Sequence, residues 1–196
     1  APQPTAEEKL KAALESGDAT TSEEVTLPTV LTVPAGKTLT VNHPITGYAV
    51  QGGEGAKLVV NTGGSVVNTN FQDGFGVGET VETSKIYTWN GTAWQRELDP
   101  SVTVTTSDQL TKALSSSAVT TITINGENLS LAASNKSFVV ASGKTLTVTG
   151  AVTGNITGTT GAKLTIGTGG SLSGTTLLNG FGETDTATTG KTYTWN

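Results

Sequence analysis

Apolar and polar residues alternate with a period of two through much of this chain. VTLPTVLTV (Val25 to Val33), KTLTV (Lys37 to Val41), AKLVV (Ala56 to Val60) and SVV (Ser65 to Val67) carry the pattern of half-buried strands. Glycine-bearing breaks at Ala35-Gly36, Gly52-Gly53 and Gly63-Gly64 separate them, where tight turns need positive φ. Further along, TTITI, KTLTV, AKLTI and SLS repeat the arrangement. Two segments follow the helical period instead. Thr5-Ala6-Glu7-Glu8 is a capping box ahead of Leu10, Ala13 and Leu14 on one face, and Ser16-Gly17-Asp18 ends that helix. Thr106-Ser107-Asp108-Gln109 caps a second helix carrying Leu110, Ala113 and Leu114. Helices of about three turns are unstable alone, so each apolar stripe must cover something.

These elements occur twice in the same order. VPAGKTLTV (Val33 to Val41) returns as VASGKTLTV (Val140 to Val148), an offset of 107. GAKLVVNTGGSVV (Gly55 to Val67) returns as GAKLTIGTGGSLS (Gly161 to Ser173), an offset of 106. DGFGVGET (Asp73 to Thr80) is echoed by NGFGETDT (Asn179 to Thr186), and YTWN (Tyr87 to Asn90) recurs at Tyr193 to Asn196. Between the helices the offset is only 100, so the second copy carries about seven more residues before GKTLTV. We expect these near Gly126 to Asn135. The chain therefore divides into two modules, residues 1–98 and 99–196.

A finer period runs inside each copy. Leu39 and Leu58 are 19 residues apart, and Leu146 and Leu164 are 18 apart. A phrase returning at that interval, with glycine at the corners, fits one coil of a β-solenoid. The alternative is an immunoglobulin-type sandwich, also built from short alternating strands. The glycine-punctuated period favours an all-β parallel β-helix. Each module then has a short N-terminal capping helix over the open end of its coil and a C-terminal aromatic hairpin. The reading predicts that Leu39, Leu58, Leu146 and Leu164 point inward and stack.

Phrases such as VPAGKTLTV and GAKLTIGTGG resemble those of right-handed parallel β-helix modules in bacterial secreted and cell-surface proteins, whose fold is similar to the pectin-lyase class. The resemblance covers most of each copy. Its motifs are structural, so it implies a fold and an extracellular compartment and no reaction.

Tyr87-Thr88-Trp89-Asn90-Gly91-Thr92-Ala93-Trp94 reads as a hairpin with Asn-Gly in a type I′ turn. That turn pairs Trp89 with Thr92 and Tyr87 with Trp94, placing three aromatics on one face. In the second copy the phrase ends at Tyr193, Trp195 and Asn196 without a returning strand. Three explanations stand: a piece of a longer array, a natural end, or a strand supplied by a neighbouring molecule. These five aromatics are the candidate assembly or ligand contacts. The last explanation predicts a contact with another chain, either the Ala1 to Thr5 segment of a second copy or the next module of a longer protein.

Composition narrows the chemistry. With net charge −5 and Arg96 as the single arginine, the chain has no cationic cluster for nucleic acid. No apolar run reaches the roughly 18 residues of a membrane span. Cysteine and methionine are absent, which removes disulfides and thiolate sites. His43, the lone histidine, precedes Pro44 in a turn phrase. Five aspartates are scattered and the arginine lies off the coil phrases, so the acidic calcium cluster with a basic partner used by pectate-lyase-type enzymes is missing. We expect no enzyme activity, cofactor or metal. A role as a surface-layer, fibre or adhesin-stalk component outside the cell comes first. A carbohydrate-binding module using Tyr87, Trp89 and Trp94 comes second. Ice binding through Thr38, Thr40, Thr145, Thr147 and Thr149 comes third, because Lys57-Leu58-Val59 interrupts the Thr-x-Thr pattern.

Overall fold

The computed structural model describes residues 2–126, 129–131, 138–154, 156–173 and 189–196. The chain separates into two compact units, 1–97 and 98–196. Each is a β-solenoid of stacked parallel strands with a short helix at its N-terminal side.

In unit 1 the helix α1 (Ala6–Ser16) opens with the expected capping box: Thr5 Oγ1 accepts from the Glu8 amide at 3.2 Å, and Glu8 Oε2 accepts from the Thr5 amide at 2.8 Å. Leu10 and Leu14 are buried and Ala13 is half-buried, so the stripe covers the first coil. That coil holds β1 (Ala19–Thr20), β2 (Val25–Leu27) and β3 (Leu31–Val33). The second holds β4 (Thr38–Val41), β5 (Ile45–Gly47) and β6 (Val50–Gly52), and the third begins with β7 (Lys57–Val60). Each strand lies parallel on its counterpart one coil back, giving three faces: β1-β4-β7, β2-β5 and β3-β6. Register places Leu39 beside Leu58, and both are fully buried.

The corners follow from glycine geometry. At Gly47, φ is 90° and a β-carbon would fall 2.3 Å from the Leu27 carbonyl oxygen of the coil before. Only a residue without a side chain lets the two coils approach that closely. Thr21 is the one buried polar residue among those described, and its Oγ1 accepts from the amides of Asn42 and His43 at 2.8 and 3.0 Å. This hydroxyl satisfies two turn donors that the ladder leaves over. The His43 side chain is exposed, in a bend.

Unit 2 begins with β11 (Ser101–Val104) and α2 (Ser107–Ser115), after β8 (Phe71–Gln72), β9 (Lys85–Trp89) and β10 (Trp94–Arg96) have closed unit 1. Its first coil holds β12 (Thr121–Ile124), β13 (Leu129–Ser130) and β14 (Phe138–Val140). Then follow β15 (Thr145–Val148), β16 (Ala151–Thr153), β17 (Ile156–Gly158), β18 (Lys163–Ile166), β19 (Ser171–Ser173) and β20 (Thr192–Thr194). Leu146 lies beside Leu164, both fully buried. In α2, Leu110 and Ala113 are buried and Leu114 is half-buried.

The extra residues of the second copy enter in two places rather than one. Ala19 takes the place beside Leu39 that Ile122 takes beside Leu146, so the offset is already 103 at the first strand. The added residues lengthen the connection from α2 to β12, where Lys144 reaches across to donate to the carbonyls of Ser116 (2.7 Å) and Val119. The remainder lie between β12 and β14, where 127–128 and 132–137 fall outside the described residues.

Candidate functional site

Four of the five aromatics sit on the strands that close each unit, and Trp195 directly follows β20. β9 lies antiparallel on β7, with Tyr87 beside Leu58. β20 lies antiparallel on β18, with Tyr193 beside Leu164. The coil stack thus ends in a reversed strand whose tyrosine continues the inner leucine column.

The hairpin register differs from the expected one. Trp94 pairs with Trp89 and Arg96 with Tyr87, and the turn centres on Gly91-Thr92. Asn90 precedes the turn: its Oδ1 accepts from the amides of Thr92 (3.0 Å) and Ala93 (2.9 Å), and its own amide donates to the Ala93 carbonyl at 3.1 Å. Of the central pair only Gly91 has positive φ (99°), the requirement of a II′ turn and not of I′. An asparagine that hydrogen-bonds its own turn from outside has shifted the register.

Parity survives that shift, so Tyr87, Trp89 and Trp94 still share a face. That face looks into the unit. Tyr87 and Trp94 are fully buried, and Trp94 Nε1 donates to the Val50 carbonyl at 2.9 Å. Trp89 meets Trp94 edge to face with centroids 5.3 Å apart, and Phe71 meets Tyr87 likewise at 5.0 Å. Trp89 is half-buried and lies over Gly52, where a β-carbon would come within 2.5 Å of it. Trp195 lies over Gly158 in the same way, with a corresponding distance of 3.0 Å, and is also half-buried. Tyr193 is buried. An open groove of about 500 Å³ beside Trp89 is lined by Glu54, Asn90 and Gly91.

A polar knot surrounds the Tyr87 hydroxyl. It accepts from the Glu82 amide at 2.9 Å and hydrogen-bonds the Glu79 carboxylate, whose Oε2 is 3.5 Å from Arg96 Nε. Burial pushes the Tyr87 hydroxyl up to about 12. Burial also raises the Glu79 carboxyl above its ordinary value, against the opposing pull of Tyr87 and Arg96. The knot ties the 79–82 segment to the hairpin. Among the described residues no three His, Cys, Asp or Glu side chains gather as a metal site, and no helix is long and apolar enough to cross a membrane.

A second feature is assembled only by register. On the β11-β12-β15-β18-β20 sheet the outward positions form two columns: Ser101, Thr121, Thr145, Lys163, Thr194, and Thr103, Thr123, Thr147, Thr165, Thr192. Thr165 and Thr192 bring their Oγ1 atoms to 2.8 Å. In unit 1 the matching columns contain Lys57, Val59 and Ile86, so the interruption seen in the sequence belongs chiefly to that unit. The Thr-x-Thr phrases were visible, but their coil spacings of 20, 24 and 18 residues share no period that would have aligned them.

Fold and site together define a tandem β-solenoid protein in which each unit is closed by an aromatic strand. No protein-family model, curated protein or solved structure matches the chain.

Proposed function

We propose that this chain is a non-enzymatic structural component of the bacterial cell surface, a surface-layer, fibre or adhesin-stalk subunit built from tandem modules. The observation that carries the reading is the closure of each unit by its own helix and its own Tyr-x-Trp strand. Solenoid coils stack without limit unless their ends are capped, and a separately capped module can be repeated along a chain without exposing its core. Low charge, abundant threonine and glycine, and the absence of cysteine and methionine suit a passive extracellular scaffold.

Electron microscopy of the purified chain, with fractionation of the source cells, tests the proposal. Filaments or sheets and an extracellular fraction are expected. Dispersed particles at every concentration, or a cytoplasmic fraction, overturn it. The C-terminal residues 191–196 belong to the core of unit 2 and are not a detachable assembly segment. That segment carries β20 and Trp195, and its loss would uncover Leu164 and Gly158 in unit 2 itself.

A second reading is an extracellular carbohydrate-binding module. The threonine columns and the groove beside Trp89 favour it, since hydroxyl ladders and a half-buried indole suit sugar hydroxyls and ring faces. Retention on insoluble polysaccharide, lost on Thr123→Lys with Thr147→Lys, would support it over the first.

A further inference from the structure

The two units differ at one sheet edge. In unit 2, β11 runs parallel along the outer side of β12, with Ser101–Val104 matched one to one to Thr121–Ile124. The Pro100 carbonyl accepts from the Thr121 amide at 2.9 Å, and the Val104 carbonyl accepts from the Asn125 amide at 3.0 Å. Val104 is fully buried, and α2 lies against both strands.

In unit 1 the strand at the same place in the coil is β1. The Thr21 amide donates to the Thr40 carbonyl at 3.0 Å. Parallel ladders alternate, so Ala19 and Thr21 serve β4 while the N–H and C=O of Thr20 point to the other side. Nothing equivalent to β11 pairs there among the described residues. Pro2, Gln3 and Pro4 precede α1 as exposed irregular chain, and proline has no N–H to donate. Counting back from Leu10 and Leu110, the two prolines stand where Val102 and Val104 do, and the ladder directs the N–H groups of those valines at β12. Beside this edge α1 and the first coil leave a cleft of about 210 Å³, lined by Ala6, Leu10, Ala13, Thr20, Thr21 and Val25. Its rim is crossed by the Lys9–Glu23 pair at 3.0 Å, an exposed tie of the weak kind.

We propose that the β1 edge and this cleft are an acceptor site for an extended strand of another module of the same kind. The occupant is the valine-alternating segment that follows a module's aromatic hairpin, as Leu98–Val104 follows β10. It adds parallel to β1, takes the Thr20 amide and carbonyl, and places a valine against α1 as Val104 lies against α2. Main-chain bonds supply affinity and the alternate side chains supply specificity. The inference rests on the comparison of the two units and stands apart from the surface-assembly reading, for which it would be a joint.

The test adds a blocked peptide of residues 98–105 to the full chain and follows amide hydrogen exchange residue by residue. Saturable binding is expected, slowing exchange at Thr20 by about tenfold or more while unit 2 is unchanged. A peptide with Val102→Asp and Val104→Asp should not bind. A chain carrying Pro2→Val and Pro4→Val should protect Thr20 unaided and lose peptide binding. If that chain does not fold, the peptide series on the natural chain still decides. Unchanged exchange at Thr20 under millimolar peptide, protection confined to another edge, or equal binding of the aspartate peptide overturns the proposal. Peptide binding without filaments leaves it intact, and filaments without peptide binding overturn it alone.

Discussion

Adding a single methyl group at Gly52 tests how the aromatic strand closes unit 1. The alanine β-carbon would lie 2.5 Å from Trp89 Cβ, 2.7 Å from Trp89 Cγ and 3.0 Å from Trp94 Cη2. Ordinary carbon contacts are about 3.5–4.0 Å, so the overlap reaches about 1 Å. Rotating a side chain does not relieve it. Trp89 Cβ is tied to its backbone, whose amide donates to the Ala56 carbonyl at 3.0 Å, and the Trp94 ring is pinned by its bond to Val50. The strand itself must lift from β6. Overpacking of a fitted core costs about 1–3 kcal/mol, and loss of the indole bond adds about 1 kcal/mol, so Gly52→Ala should destabilise unit 1 by about 2–4 kcal/mol. Two controls bracket it. At Gly158 the contacts to Trp195 are all 3.0 Å with no second tryptophan below, and about 1 kcal/mol is expected. At Gly17, φ is −179° and nothing lies within 4 Å of an added methyl, so Gly17→Ala should be neutral or slightly stabilising. Denaturant unfolding followed by far-UV circular dichroism and tryptophan emission reads all three. A loss below about 0.5 kcal/mol for Gly52→Ala, within the range of ordinary surface changes and with unaltered emission, would refute the lid.

Other expectations follow from the core and the polar knot. Leu58→Ala and Leu164→Ala, both in the inner column, should each cost about 2–5 kcal/mol, measured by the same unfolding curves with the transitions of the two units fitted separately. Thr21→Val keeps the volume but leaves the Asn42 and His43 amides without their acceptor, and should cost about 1–3 kcal/mol by thermal unfolding. Because Tyr87 titrates higher folded than unfolded, its contribution is fully present below pH 10 and is lost as pH rises from 10 to about 12. Tyrosinate absorbance should show a late step that Tyr87→Phe abolishes; a late step that survives the substitution would place the perturbed hydroxyl elsewhere.

Much of the fold was legible locally. Period-two runs, glycines at the corners and the capping box at Thr5 and Glu8 each involve residues within a few positions of one another, so the sequence alone determined the solenoid coil, both helices and the inward leucines. The strands were less fully legible: Val25 to Val33 breaks at Pro28 into β2 and β3, Val66 makes only an isolated bridge to Ile45, and β5 and β6 carried no clear alternation. Side-chain alternation leaves no freedom about which residue faces the core once the strand is placed. The repeat likewise disclosed that a unit occurs twice. Four features belonged to the tertiary structure. The hairpin register depended on Asn90 bonding outside the turn, which competes with the Asn-Gly preference by less than a dipeptide rule can resolve. The orientation of Tyr87 and Trp94 depended on which way the reversed strand faced, since a shared face is equally compatible with solvent and with core. The threonine columns depended on coils of unequal length being brought into register by their leucines and isoleucines. The free edge at Thr20 depended on comparing two ladders strand by strand. Hydrogen bonding between strands links residues about twenty apart through backbone atoms identical in every residue type, and that pairing becomes visible only when the coils are stacked.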